Sequence, residues 1–310
     1  MITEIKGLHH MTAMARDAAE NNAFWTRTMG LRRVKQTVNF DEPSVYHLYY
    51  GDELGTPGTI MTYFPFPRIT RGRPGTGEVG TTVFSVPPGA LAFWENRLTA
   101  AGAGDVARAT SFGENRLTFR GPDGDGLALV EVGDDSREPW AEGGVDGDVA
   151  IRGFHSGVLR LKEAGATAEL LRFMGYEEAG RDGNVLRLVR PGGNDARTID
   201  IAVHPDMPSA DLGAGSVHHI AFAVGDRDAQ IKVQAAIADA GYQITPVIDR
   251  DYFYSVYFRT PGGVLFEIAT NEPGFARDEE PAHLGEALQL PAQHAHLRAR
   301  LEQHLQPLEA

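Results

Sequence analysis

The chain of 310 residues contains no cysteine. Disulfides and thiolate metal sites are therefore excluded, and any metal must be held by nitrogen and oxygen donors. Basic residues are in deficit: 29 Lys and Arg stand against 42 Asp and Glu, a net charge of −13. A surface of that sign repels phosphate backbones, so nucleic acid is not expected as a partner, and no basic amphipathic stretch suggests an anionic membrane surface. Long apolar runs are missing as well. No stretch approaches the roughly 20 apolar residues of a membrane span. The opening MITEIKGLHH lacks the basic segment and apolar run of a signal peptide. A cytoplasmic location is expected. Glycine is plentiful instead, 36 residues beside 18 prolines, which predicts many turns.

Against that background one phrase occurs twice. GLHHMTAMARD opens the chain and GSVHHIAFAVGDRD returns near residue 215. Each reads as a short strand followed by an Asp, Asp17 or Asp226, placed to cap a helix. The helices close on Gly30 and Gly241. Two weaker copies begin at Gly77 and Arg152. After each helix come strand-like phrases separated by turn signals, such as YFYSVYFRTPGGVLFEIAT. The unit is βαβββ, repeated over 7–66, 77–133, 152–204 and 215–271. One unit buries too little surface to stand alone. The expected fold is α+β: four modules forming two pseudo-symmetric half-barrel pairs, modules 1+4 and 2+3. In chain order this gives an N-terminal domain at 1–140, a C-terminal domain at 150–275 and a tail at 276–310 with a helix. The acidic, Gly-rich segment EVGDDSREPWAEGGVDGDVA between the domains is expected to be exposed. Leu297, Leu301, Leu305 and Leu308 recur at helical spacing and predict that the tail buries one face on a module or on a neighbouring subunit. Homo-oligomerisation is left open.

Alternation along a strand sorts residues by face. In HHIAFAV, Ile220, Phe222 and Val224 form a bulky face shared with His218, and His219, Ala221 and Ala223 a small face that leaves room for a cavity. In GGVLFEIAT, Val264, Phe266 and Ile268 pack, while Glu267 joins the cavity side. A buried, unpaired carboxylate is costly, and a cation beside His219 and Glu267 removes that cost. Aligning the modules gives His10, Thr81, Ser156 and His219 at the first position, and Tyr63, Glu131, Asp200 and Glu267 at the second. Only modules 1 and 4 together make a plausible metal site, from His10, His219 and Glu267, with Tyr63 where a fourth ligand would stand. Two imidazoles and a carboxylate with other positions open form the facial triad of non-haem Fe(II) oxygenases. His9 and His218 are read as supporting donors or packing residues. His47, His155, His204, His283, His294, His296 and His304 show no such pattern and are read as surface or structural.

The phrases GLHHMT, GSVHHIAF and DRDYFYSVYFRTPGGVLFEIAT resemble the vicinal oxygen chelate (glyoxalase/bleomycin resistance/dioxygenase) superfamily, and within it the ring-cleaving hydroquinone-type dioxygenases. The resemblance runs through nearly the whole chain. It implies an Fe(II) enzyme, with Mn(II) or another divalent metal as the alternative, acting on a small aromatic diol with O2. It implies metal ligation by His10, His219 and Glu267, and supporting roles for His9, Thr12, His218, Arg250 and Tyr257. Tyr257 would hydrogen-bond or exchange a proton with substrate, and Arg250 would orient it. His9 or His218 would relay protons, since an unperturbed imidazole titrates near 6.5. Because this fold hosts many chemistries, extradiol catechol cleavage, a glyoxalase-type isomerase or lyase and a metal-free sequestering module are the competing expectations. The isomerase reading calls for a fourth protein ligand.

Overall fold

The computed structural model describes residues 1–309. Its elements repeat one plan four times. Module 1 holds β1 (Leu8–Ala15), α1 (Ala18–Ala23, running on as a π-helical turn over Phe24–Thr28), β2 (Arg32–Val38), β3 (Tyr46–Gly51) and β4 (Ile60–Pro65). Module 2 holds β5 (Glu78–Val86), α2 (Leu91–Ala100), β6 (Gly104–Ser111), β7 (Glu114–Arg120) and β8 (Gly126–Glu131). Module 3 holds β9 (Gly153–Leu161), α3 (Gly165–Phe173), β10 (Glu177–Asp182), β11 (Val185–Val189) and β12 (Thr198–Val203). Module 4 holds β13 (Val217–Val224), α4 (Arg227–Asp239), β14 (Ile248–Asp249), β15 (Phe253–Arg259) and β16 (Leu265–Pro273). In the tail, α5 spans Arg298–His304. The first and last helices start where the sequence places a cap. Asp17 accepts from the Glu20 N–H at 2.8 Å, and Asp226 from the Ala229 N–H at 2.8 Å.

Two eight-stranded sheets result. The first runs β14-β15-β16-β13-β1-β4-β3-β2 and joins module 4 to module 1. The second runs β10-β11-β12-β9-β5-β8-β7-β6 and joins module 3 to module 2. This is the expected pairing. Antiparallel β1/β13 closes the first sheet at its centre, and β5/β9 closes the second. The two centres pack back to back. Gly157 on β9 lies under Met11 and Ile220, where a Cβ would stand 2.8 Å from Ile220 Cδ1 and push that side-chain end aside. Ile220, Phe222, Val224, Phe266 and Ile268 join residues of both sheets in one core. Ala221 and Ala269 face the other way, into a small cluster with Tyr49, Phe253 and Phe275. The concave faces therefore point outward, away from each other.

The tail wraps module 1. Lys35 on β2 is completely buried and pairs with Asp278 (2.6 Å) and Glu279. Leu288 bridges to Gln36, extending that sheet edge. Leu301 and Leu308 are buried, and Leu297 and Leu305 partly so, which gives the leucine stripe its partner within this chain. The segment between the two sequence halves is only partly exposed, contrary to its composition. Arg137 is stitched to Asp135, Ser85, Gly58 and Phe154, and Val145 is buried against the core.

Candidate metal centre

The β1/β13 pair is where regular alternation fails. Leu8 lies opposite Phe222 and Met11 opposite Ile220, so His9 and His10 together face a single residue, Ala221. On the partner strand Thr12 opposes His219 while Ala13 opposes Val217, which leaves His218 as the extra residue. Each strand thus carries a bulge at its histidine pair, and bulges re-aim side chains. His218 does not share the packing face with Ile220, as alternation predicts. It sits at the mouth of the concave face against His219 and Phe64.

His10, His219 and Glu267 are all buried, and one ligand atom of each lies within 4.8 Å of the others. Glu267 Oε2 is 2.9 Å from His219 Nε2 and 3.2 Å from His10 Nε2, and the two Nε2 atoms are 3.3 Å apart. One face of an octahedron with bonds of about 2.1 Å spaces its donors about 3 Å apart. Glu267 Oε2 accepts no hydrogen bond despite its burial. Three donor atoms converge on one point, which is the arrangement a divalent cation would satisfy. Glu267 Oε1 is held separately by the Ser255 hydroxyl.

The neighbouring histidines explain why both Nε2 atoms are free. His9 Nε2 lies 3.1 Å from the Thr270 carbonyl, which can only accept, so His9 carries its proton there. His9 Nδ1 must then accept from His10 Nδ1, 3.0 Å away, and His10 Nε2 is left unprotonated. Between His218 and His219 the Nδ1 atoms are 2.8 Å apart, and donation by His219 again frees its Nε2. Such outer partners commonly fix the tautomer of a ligating imidazole. Burial pushes His9 down to about 3 and His218 down to about 4. Both are neutral at pH 7.

His10 and His219 line a cavity of about 330 Å³ together with His47, Tyr49, Phe64, Phe66, His218, Arg250, Phe253, Tyr257, Phe40 and Asp41, while Glu267 is fully buried. Arg250 Nε donates to Tyr257 Oη at 3.3 Å, and its guanidinium reaches Asp41 at 3.6 Å. Burial and the Glu267 charge push the Tyr257 hydroxyl above its ordinary value, so it remains a donor at neutral pH. Thr12 is buried and accepts from the Thr62 hydroxyl at 3.0 Å.

Two expectations are corrected. Register places Met11 opposite Met61 and Ile220 opposite Phe266, so the module 1 counterpart of Glu267 is Thr62, not Tyr63. Tyr63 faces the core instead, against Trp25, and donates to Asp125 at 2.7 Å. His47, read as surface or structural, is buried on the cavity wall and bonded to Tyr49 and Thr62. A sequence signal for it existed, since His47 and Tyr49 share a face of YHLYYG at a spacing of two. In the second sheet the counterpart position is held by Ala128 and Asp200. Glu131 lies three residues further on and accepts from the Gly89 N–H.

Four paired modules with this donor set define a metal-site scaffold seen in many enzymes. The chain belongs to the Glyoxalase/Bleomycin resistance protein/Dioxygenase superfamily, whose family model matches residues 7–268. It is 44% identical over its full length to a Bacillus subtilis (strain 168) protein with the provisional name ring-cleaving dioxygenase MhqO, covering 98% of that protein. It is 36% identical to chlorohydroquinone/hydroquinone 1,2-dioxygenase of Sphingobium indicum, over 93% of this chain and 92% of that one. A crystal structure of a provisionally named dioxygenase from Bacillus subtilis superposes with a TM-score of 0.95 at 43% identity, covering 99% of this chain and 98% of that one. Glyoxalase I from Zea mays superposes at 0.64 with 14% identity, over 86% of this chain and 92% of that one, and so shares the fold. No helix among the described residues is long and apolar enough to cross a membrane.

Proposed function

We propose that this chain is an Fe(II)-dependent ring-cleaving dioxygenase acting on a hydroquinone-type aromatic diol with O2. One observation carries the reading: His10, His219 and Glu267 converge beside a cavity that His10 and His219 line together with aromatic side chains. The relatives named as ring-cleaving and hydroquinone dioxygenases support it. Bound Fe(II) would supply a lowered pKa for a coordinated phenol hydroxyl and electrons to activate O2. The chain's own residues do the rest. His9 and His218 hold the ligating imidazoles in the tautomer that keeps Nε2 free. Tyr257, protonated and oriented by Arg250, offers a hydrogen bond beside Glu267 to an oxygen of substrate or O2. Phe64, Phe66 and Phe253 exclude water and favour a flat ring. Thr62 at the fourth position leaves room that a glyoxalase-type ligand would fill.

O2 uptake by anaerobically purified, Fe(II)-reconstituted protein, with a panel of hydroquinones and catechols, tests the proposal. Iron-dependent uptake with loss of the aromatic absorbance is the expected result. A protein that holds one iron per chain but takes up no O2 with any diol would overturn it.

A further inference from the structure

The sheet that carries the metal donors is an open curl whose edge strands, β14 and β2, stand at opposite ends of the strand order. Side chains from those two ends nevertheless meet. The Lys35 amine on β2 lies 4.8 Å from the centre of the Tyr252 ring, just past β14. The Arg250 guanidinium lies 5.5 Å from the Phe40 ring, in the loop after β2, and 3.6 Å from Asp41. Arg250, Phe40 and Asp41 line the cavity. The two edges therefore face each other across a seam that borders the site.

The seam is built on one tight turn, formed by Arg250, Asp251 and Tyr252. The Tyr252 N–H donates to the Arg250 carbonyl at 2.8 Å, and the Arg250 N–H to the Phe253 carbonyl at 2.9 Å. Asp251 sits in the left-handed region with a φ of 65°, a conformation uncommon for a residue with a side chain and kept only where the surroundings fix it. One stretch of chain just after β16 does so. Gly274 N–H donates to the Tyr252 carbonyl at 2.9 Å. Arg277 donates to the Asp251 carbonyl at 2.7 Å and to its carboxylate at 3.2 Å. Asp278 accepts from the Tyr252 hydroxyl at 2.9 Å with one oxygen and from Lys35 at 2.6 Å with the other, and Glu279 is the second partner of Lys35.

The turn sends its side chains in different directions. Tyr252 is buried and stacked on Phe275. Arg250 points into the cavity, where its Nε donates to Tyr257 Oη at 3.3 Å. Lys35 has no exposed surface. Replacing a buried ion pair by apolar side chains is often neutral or stabilising, so net stability does not account for this one. Its geometry does: it fixes where segment 274–279 lies, and that segment fixes the turn that bears Arg250.

We propose that segment 274–279, anchored on Lys35, positions Arg250 and through it the Tyr257 hydroxyl. Lys35, Tyr252, Arg277 and Asp278 are then positioning residues of the site, although none of them lines the cavity. The inference deepens the ring-cleavage reading above, in which Tyr257 meets substrate, and its first test does not depend on that reading.

The Arg250 Nε–H reports the contact directly. In nitrogen–proton correlation spectra of the Zn(II)-loaded chain its signal is assigned by its loss in Arg250→Lys, and Tyr257→Phe shows where it falls once the bond is gone. Tyr252→Phe deletes one hydroxyl and keeps the ring on Phe275. Arg277→Met deletes the grip on Asp251 from a half-exposed position, and it serves alone if Tyr252→Phe fails to fold. Each should move the Arg250 signal toward its Tyr257→Phe position and speed its exchange with water by about tenfold, the equivalent of one net hydrogen bond. A signal that stays at its wild-type position in both variants, or that already matches Tyr257→Phe in the wild-type chain, overturns the inference. O2 uptake with hydroquinone is the second readout. Each variant should lose about tenfold in kcat at unchanged iron content, and should lose nothing further once Arg250→Ala is also present. Losses that add to that of Arg250→Ala overturn the route through Arg250. A shifted Arg250 signal in a protein that takes up no O2 with any diol would overturn the aromatic-diol reading and leave the positioning in place.

Discussion

The two sheets share one strand order and place a carboxylate at the same point. Glu267 follows the residue paired with Ile220, and Asp200 follows the residue paired with Gly157, the corresponding central positions. Across the next strand Glu267 meets Tyr257, whereas Asp200 meets Arg187. Arg187 grips both Asp200 oxygens at 2.8 and 2.9 Å and reaches Glu114 at 2.7 Å, with Arg116 and His155 completing the cluster. Thr81 and Ser156 stand where the first sheet has His10 and His219. A buried carboxylate requires a positive partner. The second sheet supplies one from its own side chains and becomes a structural ion-pair cluster. The first sheet supplies two imidazoles and sets no guanidinium against the carboxylate, and the positive partner is what a metal ion would provide. Three positions separate the two outcomes: His10 and His219 against Thr81 and Ser156, and tyrosine against arginine opposite the carboxylate.

Removing a donor should break the comparison most severely. Glu267→Ala leaves two imidazoles and is expected to weaken Fe(II) binding by well over about 100-fold, more than losing an outer partner costs. Iron content after reconstitution and gel filtration reads this directly. Thr62→Glu should act in the opposite sense, by giving module 1 the carboxylate it lacks. Metal affinity should rise, while O2 uptake falls by about 100-fold or more as the open side closes. A variant with unchanged uptake would show that Thr62 does not border the reactive positions.

In the second sheet the equivalent change should cost stability and not chemistry. Asp200→Ala strands the buried Arg187 with only Glu114 for company. Breaking a buried pair typically costs about 3–5 kcal/mol, and urea denaturation should show a loss near the lower end, since Glu114 remains. Iron content of the folded variant should match wild type. A smaller effect is expected at the outer histidines. His9→Ala removes the acceptor that fixes the His10 tautomer and should weaken metal binding by about 10–100-fold, with His218→Ala milder because that residue is the more exposed of the two.

Much of this architecture is legible in the residues. The repeated HH phrase, the capping aspartates and the cavity-facing Glu267 lead to four modules, their pairing and the three converging donors. What escapes counting is whatever depends on register. Strict alternation assigns His218 to the packing face, because a bulge cannot be seen in HHIAFAV. Alignment by eye lands on Tyr63 and Glu131, where the ladder chooses Thr62 and Ala128. A slip of one residue exchanges the two faces of a strand, and here it separates a core tyrosine from a cavity threonine. His47 was passed over because it belongs to no repeated phrase. Its importance comes from Thr62, on a strand it meets only after folding.

The finest test of the contrast between the sheets is pH. Burial would raise the Glu114 carboxyl, but hydrogen bonds from His155, Arg187 and Arg116 hold it far below its ordinary value of 4.5. A carboxylate with a depressed folded-state pKa contributes stability that is present above its unfolded value and lost as pH falls toward the folded one. The Glu114 contribution is therefore complete at pH 6 and declines below about 4.5. Urea midpoints measured from pH 6 down to pH 3 should fall for the wild-type chain. They should fall less steeply for Glu114→Gln, which starts lower at pH 6 and converges on wild type in acid. Parallel curves for the two proteins would mean that the charge cluster of the second sheet does not supply the stability assigned to it. The opposition between a carboxylate neutralised by arginine and one awaiting a metal would then rest on the first sheet alone.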